Sequence, residues 1–246
     1  MGDEALSNMI IIIILGSLVS LIGTMTGASL GVLIKKPSNK MLSVIIGFAG
    51  GIMLSVVVFD LIPEAVEKGG LINAIFFSVI GIITIIFVDG IFDVAKFSNS
   101  KHIKVAFLVA LGLMIHNFPE GIIMGCGFIS GTSLGIKMSI VIALHDIPEG
   151  IAVSAPLMAS RVKISKILLY AFITALPTAA GVWLGACVGT ISYSVLGDCL
   201  AFASGIMLYV VCREMLPESS KLWDGVSGTL GILGGILLGL VITSVL

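Results

Sequence analysis

Charge is what this chain has least of. Of its 246 residues, 13 are Lys or Arg and 14 are Asp or Glu, 11% together, where a soluble domain carries about 25%. With hydrophobic residues at 58%, that shortage excludes a water-surrounded globule and makes the bilayer the solvent. Long polar stretches are missing as well, so no soluble appendage is expected. Cysteine is scarce and scattered: Cys126, Cys187, Cys199 and Cys212 show no CxxC spacing and read as packed small hydrophobes. No HExxH metalloprotease pattern occurs. A basic n-region is also absent. The first apolar run follows Asp3 and Glu4 and ends at Lys35-Lys36 without a clear small-residue cleavage site, so it is expected to be a retained helix and not a removed signal peptide.

What the chain does have is eight apolar runs, near 9–34, 41–62, 71–92, 105–127, 134–158, 164–190, 195–216 and 227–246. Each is long enough to cross about 30 Å of hydrocarbon as a helix. The expectation is an all-α polytopic membrane protein, with 1–246 forming one transmembrane domain. Of the 13 basic residues, all but Lys68 and Lys137 fall in the connections after helices 1, 3, 5 and 7. By the positive-inside rule those connections are cytoplasmic, which places both termini outside.

Two repeats organise the runs. Positions 48–64 and 202–218 match at ten of seventeen residues without a gap, from Phe48-Ala49 and Phe202-Ala203 to Pro63-Glu64 and Pro217-Glu218. Helices 2 and 7 cross in opposite directions, so the copies are inverted, as in many secondary transporters. The acids Asp60 and Glu64 then lie at the outer mouth, and Glu214 and Glu218 at the inner one. As solvated helix ends they need no function; drawing cations to the entrances is the alternative. Glycines at four-residue spacing, Gly23/Gly27/Gly31 and Gly231/Gly235/Gly239, suit close helix packing in lipid.

The second repeat carries the chemistry. His116-Asn117-Phe118-Pro119-Glu120-Gly121 recurs twenty-nine residues later as His145-Asp146-Ile147-Pro148-Glu149-Gly150, each copy inside an apolar run. Glu120, Asp146 and Glu149 would together cost roughly 8–10 kcal/mol if charged and unpaired at the bilayer centre. A cation held there explains that burden. Residues four apart share a helix face, so His116 projects with Glu120 and His145 with Glu149. Asn117 and Asp146, about 100° round from their histidines, reach an adjacent position. The combined N and O donors suit Zn²⁺, Fe²⁺, Mn²⁺, Co²⁺ or Ni²⁺, and the lack of cysteine argues against Cu⁺. Pro119 and Pro148 withdraw an N–H from Ile115 and Leu144, which predicts that helices 4 and 5 kink or open beside the ligands. Such irregularity is tolerated at that depth where protein or a water-filled cavity meets the freed groups.

Two other readings of the same residues stand beside transport. An intramembrane metalloenzyme would use the carboxylates and histidines to activate water, but no separate general acid or nucleophile constellation accompanies them. A metal sensor needs only the ligands, and leaves the inverted repeats and acidic mouths unexplained. No enzyme activity, cofactor or nucleic-acid module is expected; the bilayer and a divalent cation are the expected partners.

Taken together, HNFPEG on helix 4 and HDIPEG on helix 5 resemble the hallmark motifs of the ZIP (Zrt/Irt-like) divalent-metal transporters, especially their bacterial and archaeal branches. The resemblance covers nearly the whole chain. It implies transport of a divalent transition metal, zinc first, with iron, manganese, cobalt and cadmium behind it. It further implies uptake into the cytoplasm by alternating access, a prokaryotic inner-membrane location, and an elevator-like carrier of two helix bundles, commonly a homodimer. The metal site it implies uses His116, Glu120 and Glu149, with Asn117 and Asp146 shaping a second position bridged by the glutamates and Met53 on helix 2 contributing; with the residue reading added, His145 joins Asn117 and Asp146 as a secondary ligand. Residue chemistry alone reads Met53 as core. Two features depart from the family pattern. Many relatives carry Glu before a proline on helix 6, where this chain has Leu176-Pro177, with Thr178 next to them as a substitute. The connection before helix 4 offers Lys96, Lys101, His102 and Lys104 in place of a histidine cluster.

Overall fold

The computed structural model describes residues 3–34, 38–91, 101–159, 161–189 and 192–245. Among them the chain forms eight helical rods and no strand. These are α1 (Asp3–Leu33), α2 (Asn39–Val56, continued by Val57–Leu61 and Ile62–Gly69), α3 (Leu71–Ile91) and α4 (Lys101–Ser130). They are followed by α5 (Thr132–Ala159), α6 (Ile164–Gly189), α7 (Tyr193–Val210, continued by Val211–Met215 and Leu216–Leu222) and α8 (Val226–Val245). Five of the described helices are long and apolar enough to cross a membrane, and Leu71–Phe87 is apolar but shorter. Their outward faces carry Ile72, Phe87, Leu230 and Leu237, all exposed, as a lipid solvent requires.

Several rods overrun their apolar cores. The tails Ile62–Gly69 and Leu216–Leu222 add Glu64 and Lys68, or Glu218 and Lys221, beyond the hydrocarbon-like stretch, where hydropathy gives no signal but backbone hydrogen bonding continues. Both repeated helices begin on a serine cap: Ser38 Oγ accepts from the Met41 N–H and Ser192 Oγ from the Val195 N–H, each at 3.2 Å. These caps meet N–H groups that a helix start otherwise leaves orphaned.

The packing obeys the inverted repeat. α1 lies along α5 and α6 along α4; α2 lies along α8 and α7 along α3; α2 crosses α5 as α7 crosses α4. Exchanging α1 with α6, α2 with α7, α3 with α8 and α4 with α5 leaves this scheme unchanged. One group, α1, α4, α5 and α6, therefore meets a second, α2, α3, α7 and α8, mainly along α4–α7 and α5–α2. The glycine stripes serve this packing. Gly23, Gly27 and Gly31 face the α5 backbone, and Gly231, Gly235 and Gly239 face α2. Cys126 is buried in the core with Cys199 packed nearby, while Cys212 is exposed; none of the four is in a disulfide.

The widened turns of this fold lie away from the motif prolines. α4 and α5 remain helical through Pro119 and Pro148 and do not open. The interruptions fall in α2 and α7, each widened into a π turn at Val57–Leu61 and Val211–Met215. There the N–H of Ile62 reaches back to Val57 O, and that of Leu216 to Val211 O. A proline ring in a regular helix clashes with the carbonyl four residues earlier. Widening the preceding turn makes room for Pro63 and Pro217.

Between α2 and α3 the chain turns on Gly70, at φ 81 and ψ 155, a region open almost only to glycine. A Cβ there would touch nothing, so Gly70→Ala tests backbone strain alone. It is expected to cost about 1–3 kcal/mol, read as a lower midpoint of thermal unfolding in detergent.

Candidate metal centre

Glu120 on α4 and His145, Asp146 and Glu149 on α5 are all buried, Glu120 completely. Their helices face one another, and the three- and four-residue spacings put the polar groups on the shared side. His145 Nε2 lies 2.9 Å from Glu120 Oε1 and 3.7 Å from Asp146 Oδ1. One ligand atom each from Glu120, His145 and Glu149 falls within 4.8 Å of the others, a spacing that one cation can span. Asn117 is also buried, and its Nδ2 donates to the Thr174 carbonyl of α6 at 2.7 Å.

The electrostatic state of this cluster is its most telling property. Three carboxylates and one imidazole share a buried interior, where unpaired charge is costly. Among the described residues, Asn117 Oδ1, Glu120 Oε2, His145 Nδ1 and Asp146 Oδ1 are buried without a hydrogen-bond partner. Buried polar atoms are normally satisfied. The orphans on Glu120, His145 and Asp146, whose side chains lie within 3.7 Å of one another through His145, form a donor set that a hard or borderline divalent cation completes.

Two residues outside the motifs, Ser20 and Thr174, hold their polar side chains in place. Ser20 of α1, fully buried, donates to Asp146 Oδ2 at 2.8 Å and lies 3.4 Å from Thr178 Oγ1 on α6. Thr174, one turn before Thr178, takes the Asn117 amide on its carbonyl. A serine in an apolar run gives no warning of this; only the packing of α1 against α5 and α6 reveals it. Hydrogen bonds to charged groups contribute about 1.5–3 kcal/mol. Ser20→Ala is therefore expected to weaken metal binding roughly 10- to 100-fold, measured by isothermal titration.

The other sequence-derived positions fall as follows. Met53 is completely buried in the core that contains Ile122 and Ile123, just beyond Glu120 on α4. His116 belongs to α4, four residues before Glu120, and its side chain lies outside the described residues, as do Lys96 and the side chains of Lys101, His102 and Lys104. Leu176 is half exposed while Thr174 and Thr178 are buried. Residues two apart on a helix point some 200° apart, so α6 turns its threonines to the cluster and Leu176 away from it.

These features define a polytopic α-helical membrane protein with inverted symmetry and a cation-ligating cluster in its core. A family model described as ZIP Zinc transporter matches residues 93–243. The chain is 31% identical over 229 residues to "Zinc transporter ZupT" of Escherichia coli O7:K1 (strain IAI39 / ExPEC), spanning 87% of this chain and 88% of that protein. The protein of the same name from Salmonella paratyphi A is 30% identical over 230 residues, with the same coverage. This chain belongs to the ZIP zinc transporter family, whose members are transporters and not enzymes.

Proposed function

We propose that the protein carries divalent transition-metal cations across the membrane, zinc first among them, and delivers them to the cytoplasm by alternating access. The observation that carries this reading is the buried Glu120–His145–Glu149 cluster, in which Glu120 Oε2 and His145 Nδ1 have no hydrogen-bond partner among the described residues. Glu120 and Glu149 neutralise the cation as it sheds water, and His116 and His145 add borderline nitrogen ligands. Asn117 and Asp146, steadied by Thr174 and Ser20, shape the neighbouring position. Met53 lines the apolar wall beside it. In this reading 1–246 is one membrane domain in a prokaryotic inner membrane, with both termini outside, and two copies form a dimer.

The test is uptake by proteoliposomes of the purified protein across Zn²⁺, Cd²⁺, Fe²⁺, Mn²⁺ and Co²⁺. Saturable flux for one or more of these metals, absent from protein-free vesicles, is the expected result. Stoichiometric binding without flux for any metal would replace the carrier with a sensor.

A further inference from the structure

Lys137 is one of only two basic residues away from the basic connections, and it sits inside the bundle. It lies eight residues before His145, about 12 Å along α5 from the cluster. Its ammonium is 3.1 Å from Asp60 Oδ1 on the π turn of α2 and donates to the Thr243 carbonyl of α8 at 2.9 Å. The two side chains are only 14% and 11% exposed. Both contacts run between helix groups: α5 belongs to one, α2 and α8 to the other. One turn further along, Ser130 at the end of α4 donates to Glu64 of α2 at 2.9 Å, again across the same boundary. This end of the bundle, where α4 turns into α5, is therefore fastened by polar contacts whose strongest member is an ion pair.

The pair is also incomplete. Asp60 Oδ2 is buried with no partner among the described residues, so half of the carboxylate is unsatisfied even with lysine in place. A carboxylate holds an ammonium through point charge, whereas a divalent cation brings twice the charge and can engage both oxygens. Lysine is the residue suited to exchange, being a compact charge on a flexible four-carbon stem. The inverted repeat shows that the arrangement is one-sided. The repeat places Asp60 opposite Glu214 and Lys137 opposite Leu108, so the other end has the acid and no lysine at the corresponding position.

We propose that Lys137 is a tethered cation that closes the Asp60 end of the carrier and is displaced when a divalent cation takes the Asp60 carboxylate on its way to Glu120. While paired, it fastens α5 to α2 and α8. Once displaced, it frees the two helix groups to separate at that end, so opening is tied to the arrival of cargo. The inference rests on the proposed transport of divalent cations.

Zinc uptake by proteoliposomes of the wild type, Lys137→Met, Asp60→Asn and the double variant tests it. Methionine keeps the length of the stem without the charge. The expected result for Lys137→Met is a three- to tenfold lower KM, because Asp60 meets zinc without a competitor. In the Asp60→Asn background the same lysine substitution should leave KM unmoved. A contact that merely braces the fold would instead lower thermal stability and maximal rate in both single variants at constant KM. That outcome, or an equal KM shift with and without Asp60, overturns the proposal. Wild-type flux with an unchanged Lys137→Met KM removes the latch and keeps the carrier. No wild-type flux for any metal removes both.

Discussion

Glu120→Ala should abolish metal uptake while leaving a folded, monodisperse protein. Glu120 is completely buried and its Oε1 lies 2.9 Å from His145 Nε2, so its removal takes away both a ligand and the partner that orients the imidazole. Groups that merely orient metal ligands are worth about 10- to 100-fold in affinity or activity. A direct carboxylate ligand is expected to exceed that, giving a loss of at least about 100-fold in uptake at subsaturating zinc. Folding should survive because the change deletes a buried charge from a site already rich in carboxylates, lowering the electrostatic cost of the metal-free state. Glu149→Ala should behave alike. Radiolabelled zinc flux together with size-exclusion profiles checks both points, and flux at the wild-type level in both variants would remove these residues from the site.

Gly121→Val is expected to be the most disruptive change outside the ligands. Gly121 ends the first motif and packs against α6, where an added Cβ would run into the Thr178 carbonyl; Gly181 meets the Phe118 carbonyl in return. Helices joined backbone to backbone cannot yield as a side chain can. Overpacking alone costs about 1–3 kcal/mol, and separating α4 from α6 would also pull Asn117 from the Thr174 carbonyl. Gly234→Ala makes the control, since its Cβ would find only Phe48 Cδ2 at 3.8 Å. There the better helix propensity of alanine should leave stability unchanged or raise it by up to about 1 kcal/mol. Thermal unfolding in detergent separates the two, and equal midpoints would show that α4 and α6 are not held by glycine contact.

Much of this architecture is written openly in the chain. The eight runs, the inverted repeat and the meeting of Glu120 with His145 and Glu149 follow from periodicity and from two six-residue motifs. The final glycine of each motif was legible only as a residue type; its reason is the close approach of α6 to Gly121 and of α1 to Gly150. What stayed hidden depends on which helices become neighbours. Ser20 looks like any small residue in an apolar run until α1 is laid against α5. Lys137 looks like a stray charge near the start of an apolar run until Asp60 and Thr243 surround it. Leu176 reads in the sequence as the place of a missing carboxylate, and helix phase turns it outward while Thr178 is buried, a matter of 100° per residue that a proline-based alignment does not track.

The widened turns of α2 and α7 answer to local sequence and not to the side of the membrane they face. Each begins nine residues after the Phe of its Phe-Ala pair and ends two before its proline, although the two rods are antiparallel images of one another. Each rod starts on a serine cap and ends in a charged tail, so each carries its widened turn near its own C-terminal end, at opposite ends of the bundle. A defect imposed by one leaflet would have been kept in one copy and ironed out of the other. Its presence in both ties it to the local sequence the two copies share, the proline two residues beyond it included.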